Sequence, residues 1–250
     1  EGIVQKPIIE VRNLVAKYGD RTILGDISLD FYQGEVTVIL GSSGGGKTTL
    51  LKNIIRLTEP FSGSVKIFGE EVTQMPEDAF TKILKRVGML FQNGALLNSI
   101  DIHENLSIPL EQHTNLPPAI VQRVIRKKLD LVNLSHALYL LPSELSGGMK
   151  KRAALARAIA LDPEILFFDE PSAGLDPITS AQLDELILDL KKLLNISIVV
   201  VTHELASIHR IADRIVFLHK GKLVFHGTLN EAKECKHETV QEFFKVGRFE

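Results

Sequence analysis

Over residues 8–34, apolar and polar residues alternate in two short runs, IIEVRNLVAKYG and ILGDISLDFYQG, each closed by a glycine. A period of two sends one set of side chains to a core face and the other to water, which predicts antiparallel strands. After Gly34 the pattern changes. EVTVIL is an apolar run leading into the glycine-rich GSSGGGKTT, and KTTLLKNIIRL then sets Leu50, Leu51, Ile54, Ile55 and Leu57 at helical spacing. From about residue 75 to 141 the chain reads mostly helical. Within that stretch AIVQRVIRKKLDLVNL aligns Val121, Val124, Ile125, Leu129 and Val132 behind Pro117 and Pro118.

Two uninterrupted apolar runs, ILFF and ISIVVV, flank the helical PITSAQLDELILDLKKLL. Such runs belong to parallel strands buried on both faces, with the helix as crossover. Asp176 followed by Pro177 gives that helix a capping side chain and a proline at its first position. Past Lys222, KLVFHG predicts a strand, and Thr228 with Glu231 has capping-box spacing. The pattern predicts an α/β chain with an antiparallel β subdomain, a helical subdomain inserted over about residues 93–160, and a short C-terminal segment over about 222–250.

Composition narrows the class. A length of 250 residues with 44% hydrophobic content is enough to bury a substantial core. A net charge of -2 argues against a protein that coats nucleic acid non-specifically. The single cysteine, Cys235, has no partner for a disulfide or a cysteine metal site, which fits a reducing, cytosolic setting. No apolar run approaches the length needed to cross a bilayer.

The chemistry is concentrated at two helix starts. Gly41, Ser42, Ser43, Gly44, Gly45, Gly46, Lys47, Thr48 and Thr49 fit the phosphate-binding loop pattern, placed between a predicted strand and a predicted helix. Glycines let backbone N–H groups face phosphate oxygens, Lys47 adds positive charge, and the Thr48 hydroxyl can ligate magnesium. Asp169 ends the ILFF strand and is a second candidate magnesium ligand; Glu170, just past the strand end, can turn toward a terminal phosphate and orient water. About a hundred residues after the first loop, Ser146, Gly147 and Gly148 open another helix with the makings of an anion site.

The stretches GSSGGGKTT, FQNGALL, ELSGGMKKRAALARA, ILFFDEPSAGLDP and VVVTHE occur in the order of an ATP-binding-cassette ATPase. Over roughly residues 8–227 the chain resembles that family, which implies a P-loop ATPase with a RecA-like core that uses ATP and Mg2+. The resemblance implies that Tyr18 stacks on adenine, Gln92 contacts magnesium and the membrane partner, Glu170 activates water and His203 contacts the terminal phosphate. It also answers why there are two helix starts: Ser146, Gly147 and Gly148 close over the ATP held by a second subunit in a homodimer, and Asp176 crosses the same interface. Met149 stands where the family usually has Gln, so the Ser146 side chain and the two glycine backbones must carry that contact.

The run FQNGALLNSIDIHENLSIPLEQHTNLP, followed by PSELSGGM, is similar to the ATPases of bacterial lipid-asymmetry (Mla) and Mce-associated transport systems. That resemblance implies phospholipid or other lipid movement, integral permease partners, an Mce-type lipid-binding protein, no nucleic acid partner, and a peripheral place on the cytoplasmic face of the inner membrane. An importer ATPase for amino acids or ions shares all five motifs, and a cell-division ATPase without transport stays open. DNA-repair and ribosome relatives usually carry coiled-coil insertions or two cassettes, and neither is present. Between Gln92 and Leu110, the apolar Ala95, Leu96, Leu97, Ile100, Ile102, Leu106 and Ile108 are too many for a solvated surface. Some are expected in the core, the rest in a permease groove rimmed by Asn98, Asp101, His103 and Glu104.

Overall fold

The computed structural model describes residues 6–246. The chain divides into two compact units, one of residues up to Leu84 together with those from Ser197 on, the other Lys85–Ile196.

In the first unit, β1 (Pro7–Tyr18) and β2 (Arg21–Tyr32) pair antiparallel, and β1 also pairs with β4 (Ser62–Ile67), whose outer neighbour is β5 (Glu70–Glu71). The alternation read from sequence appears here as Ile9, Val11, Leu14, Leu24, Ile27 and Phe31 buried. A second layer has β3 (Val36–Gly41) parallel to both β8 (Ser197–Val201) and β9 (Arg214–His219), with β10 (Lys222–Thr228) antiparallel to β9. Five consecutive buried residues in β3 and five in β8 are what a strand covered on both faces requires. The helices α1 (Lys47–Ile54), α2 (Glu77–Leu84), α7 (Leu205–Ile211), α8 (Leu229–Glu234) and α9 (Glu238–Val246) complete the unit. Thr228 and Glu231 form the expected capping box of α8.

The second unit holds the parallel pair β6 (Val87–Leu90) and β7 (Ile165–Asp169), with α3 (Ile102–His113), α4 (Pro118–Leu131), α5 (Gly147–Ala158) and α6 (Pro177–Leu194). Pro117 and Asp176 cap α4 and α6 with prolines at the first helical positions, as the sequence predicts.

Two local expectations are corrected. Helix α1 stops at Ile54: Arg56 takes a left-handed backbone, φ 54°, and Leu57 turns out to be 54% exposed instead of continuing the apolar face. The Arg56 guanidinium donates to the Met75 carbonyl at 2.8 Å, a tertiary contact that competes with further helix. Strand β6 lies inside the stretch read as mostly helical. Its Gly88 lies so close to the Ala158 carbonyl and the Leu166 side chain that a Cβ there would overlap both.

Candidate functional site

The phosphate loop grows out of β3. Gly41, the last residue of β3, pairs with Leu218 of β9 at φ 148°, and any Cβ there would run into the Leu218 carbonyl. Gly46 caps α1 at φ 96°, ψ 9°. Inside the loop Gly45 N donates to Ser42 O at 2.9 Å, and Leu50 N to Gly46 O at 2.8 Å. Lys47 Nζ reaches back across the loop to the carbonyls of Gly41 and Ser42, at 3.0 and 3.1 Å. Arg21, Ile23 and Gly44 through Thr49 line a cavity of about 290 Å³. The N-terminal amides of α1 and the Lys47 cation give this concavity the electrostatics of an anion site.

Two other expected residues belong to the same unit. Tyr18 ends β1, 85% exposed, and its backbone partner across the β1–β2 turn is Arg21, which lines the cavity. His203 is exposed, two residues past the end of β8, and β8 runs parallel to β3 with Val201 beside Ile39. Phosphate loop and His203 therefore leave the same, C-terminal, ends of two neighbouring parallel strands, where ligands bind in open α/β sheets. Arg21 was not singled out in the sequence; its one signal is the Gly19-Asp20 turn that places it opposite Tyr18.

In the second unit, β7 carries Phe167 and Phe168 fully into the core and delivers Asp169 at its end. Glu170 follows in a left-handed conformation, φ 48°. For a residue with a Cβ this costs about 1–2 kcal/mol and breaks the strand alternation that would have sent the two carboxylates to opposite faces. Gln92 is exposed in the loop after β6, and its carbonyl accepts a hydrogen bond from Lys151 Nζ on α5. Burial pulls the Lys151 pKa below the usual lysine value, while the charges of Asp169 and then Glu170 work against that pull.

Ser146 caps α5, its Oγ accepting from Met149 N at 3.2 Å. Asp176 caps α6, accepting from Ile178 N and Thr179 N at 3.0 Å each, and the Thr179 hydroxyl holds its carboxyl below the usual aspartate range. The two helix starts adjoin: a Cβ on Gly148 would overlap Thr179 Cγ2, and one on Gly147 would stand 3.5 Å from Leu175 Cδ2. The structure thus brings Ser146, Gly147, Gly148 and Asp176 together on one exposed rim.

The run expected to divide between core and groove contains both buried and exposed positions. Ile102 and Leu106 are fully buried, whereas Leu97 is 50% exposed. Asp101 and Glu104, expected on the rim, form the reciprocal capping box of α3. Asn105, buried and not singled out beforehand, organises the loop: its Oδ1 accepts from Leu97 N at 2.8 Å, and its Nδ2 faces the carbonyls of Leu97, Ile100 and Asp101. Among the described residues no three His, Cys, Asp or Glu side chains form a ready metal cage. A magnesium ion needs no such cage, because it keeps several waters and binds through one or two protein ligands plus phosphate oxygens.

The ABC transporter family profile matches residues 24–173. The intermembrane phospholipid transport system ATP-binding protein MlaF of Haemophilus influenzae is 40% identical over 238 residues, covering 95% of this chain and 90% of that protein. The probable ribonucleotide transport ATP-binding protein mkl of Mycobacterium leprae is 37% identical, over 96% of this chain and 69% of its own length. Among solved structures, the dimeric post-hydrolysis state of the ATP-binding cassette MJ0796 bound to ADP and Pi superposes with a TM-score of 0.80 at 28% identity, covering 88% of this chain and 98% of that one. The family profile covers more than half the chain, the relatives nearly all of it, and the α/β fold is that of the cassettes: the chain belongs to the ABC transporter family.

Proposed function

We propose that this chain is the ATP-hydrolysing subunit of an ABC transporter complex that moves phospholipid between bacterial membranes, peripheral on the cytoplasmic face of the inner membrane. The observation that carries the cargo is 40% identity over 95% of the chain to a protein named for intermembrane phospholipid transport. In this reading Gly41 through Thr49 and Lys47 hold the phosphates, Tyr18 stacks on adenine and His203 contacts the terminal phosphate. Glu170 takes the proton from the attacking water. It is the family resemblance that joins Thr48, Asp169 and Gln92 at one magnesium ion, which when bound neutralises charge developing on the phosphates.

A second copy of the chain supplies Ser146, Gly147, Gly148 and Asp176. ATP then lies between two positive helix ends, so closure of the homodimer depends on nucleotide and reopening on hydrolysis. Integral permease subunits dock at the exposed Leu97 region, and an Mce-type lipid-binding protein is a further partner. The mkl relative, named for ribonucleotide transport, makes a nucleotide the competing cargo.

The test is reconstitution in liposomes with a multi-spanning lipid permease, following a fluorescent phospholipid with ATP and with a non-hydrolysable analogue. ATP-dependent lipid movement that Glu170→Gln abolishes supports the reading. ATP-driven uptake of a nucleotide, amino acid or ion replaces it, and so does capture of a division-site membrane protein with no lipid movement. Leu97→Asp should keep ATP binding while permease association fails. Joint loss of thermal stability and ATP binding would return Leu97 to the core and remove it from the groove.

A further inference from the structure

Helix α5 holds the loop after β6 by three backbone carbonyls. Lys151 Nζ donates to the Gln92 carbonyl, and Arg157 donates through Nη2 to Gly94 O at 2.9 Å and through Nη1 to Ala95 O at 2.8 Å. Lys151, Ala154 and Arg157 recur at intervals of three and so share one helix face. The loop lies directly on that face: a Cβ on Gly94, φ 71°, would stand 3.4 Å from Ala154 Cβ and 3.9 Å from the Lys150 carbonyl. Gly94 N closes the turn by donating to Phe91 O at 2.8 Å, and Ala95 is left-handed at φ 51°.

Burying these cations works against their charge, and burial lowers the pKa of both. Lys151 is only 7% exposed. Such a group persists where carbonyls and opposite charges compensate it. For Lys151 the compensation comes from two places, the Gln92 carbonyl and the field of Asp169 and Glu170. Its ammonium therefore ties the loop to a helix whose cap is Ser146.

We infer that Lys151 and Arg157 form a two-cation clamp that makes the Gln92 loop and helix α5 one moving piece, with Lys151 the positioning residue that holds the Gln92 carbonyl against α5. A shift of α5 at Ser146 then carries the loop, and with it exposed Leu97, without any contact of Lys151 with nucleotide. The inference rests on the roles given above to Gln92 and Glu170.

Three substitutions separate the parts: Lys151→Met keeps length without donor or charge, Lys151→Gln keeps a neutral donor, and Lys151→Arg keeps both. Amide hydrogen exchange over residues 91–97, read without nucleotide, should rise about tenfold in Lys151→Met, the scale of one lost charge-assisted hydrogen bond, with α5 and β7 unchanged. In ATP hydrolysis kcat should fall about tenfold or more with KM within about threefold, since misplacement rather than binding is affected. Lys151→Arg should restore both.

Exchange that rises evenly over loop, α5 and β7, a kcat within about twofold of wild type, or failure of Lys151→Arg to rescue at a wild-type melting temperature would each overturn the clamp. Should Lys151→Met not fold, Lys151→Gln decides: intermediate loop exchange and kcat support the clamp, wild-type values of both reject it. Glu170→Gln run beside them keeps the two readings apart. If it still hydrolyses ATP, the site assignment fails whatever the loop exchange shows, because that exchange needs no turnover.

Discussion

Gly46→Ala puts the geometry of the phosphate loop to a quantitative test. Gly46 caps α1 at φ 96°, ψ 9°. A left-handed backbone costs a residue with a Cβ about 1–2 kcal/mol. The new methyl would also overlap Leu24 Cδ2 and stand 3.3 Å from Leu24 Cγ and 3.4 Å from the Ile23 carbonyl. Leu24 is fully buried, so it can yield only by turning within packed neighbours, which costs about 1–3 kcal/mol. The sum, about 2–5 kcal/mol, must appear either as lost stability or as a loop that escapes into a shape unable to hold phosphate.

The assay is a double-mutant cycle with Leu24→Ala, read by urea unfolding and by titration calorimetry with ATP. Leu24→Ala alone opens a cavity at a cost of about 2–5 kcal/mol, but it also removes the atoms the new methyl strikes. The double variant should therefore be more stable than the sum of the singles by about 1–3 kcal/mol. Two results would refute the reasoning: a Gly46→Ala chain that unfolds and binds ATP like wild type, or singles that add within about 0.5 kcal/mol.

Glu170→Gln keeps the shape of the side chain and removes its proton acceptor, so turnover should fall about 10²–10⁴-fold while an ATP-bound dimer accumulates in gel filtration with magnesium; a monomeric variant with normal hydrolysis excludes Glu170 as the base. Mixing a Ser146→Arg chain with a Lys47→Ala chain should restore ATP binding at one site per dimer, and none at all contradicts a site shared between two copies. Asp176→Ala should lower the melting temperature near neutral pH. Because the Asp176 pKa is held below the usual aspartate value, its capping contribution is present above that value and is lost as pH falls through the lowered one, so the two proteins should converge in acid. A gap that persists to the acid limit rules the cap out as the cause.

The features legible beforehand are those written in local sequence. The Asp176-Pro177 start and the Thr228–Glu231 box each depend on residues within a few positions of one another, and the structure forms each locally; Gly41 through Thr49 is as compact in sequence and opens α1, although Leu218 of β9 lies beneath it. The roles given to Tyr18, Gln92 and His203 came from motif order alone. What stayed hidden depends on partners far along the chain. VGML is too short for periodicity to separate strand from helix, and β6 exists because β7 pairs with it some eighty residues later. Lys151 and Arg157 look like a solvated helix face in KKRAALARA, and only the tertiary contact with residues 92–95 buries them. The halt of α1 is set likewise by the tie from Arg56 to Met75, nineteen residues on.

The close approach of Gly41 to Leu218 also bears on the order in which the molecule assembles. A single carbonyl, that of Leu218, faces both Gly41 and Gly45, whose Cβ would stand 3.2 Å from it. The floor of the phosphate loop is thus a strand lying 177 residues downstream by the Gly41–Leu218 pairing, and outside the segment 24–173 that the family profile matches. A nascent chain released only as far as His203 carries the whole phosphate motif without the strand it leans on. Pairing across so long a loop comes late, because its closure entropy is met before any contact rewards it. Nucleotide can therefore act as a ligand of the finished fold but not as a template for its beginning, and stalled chains should gain ATP protection against protease only once β9 has emerged.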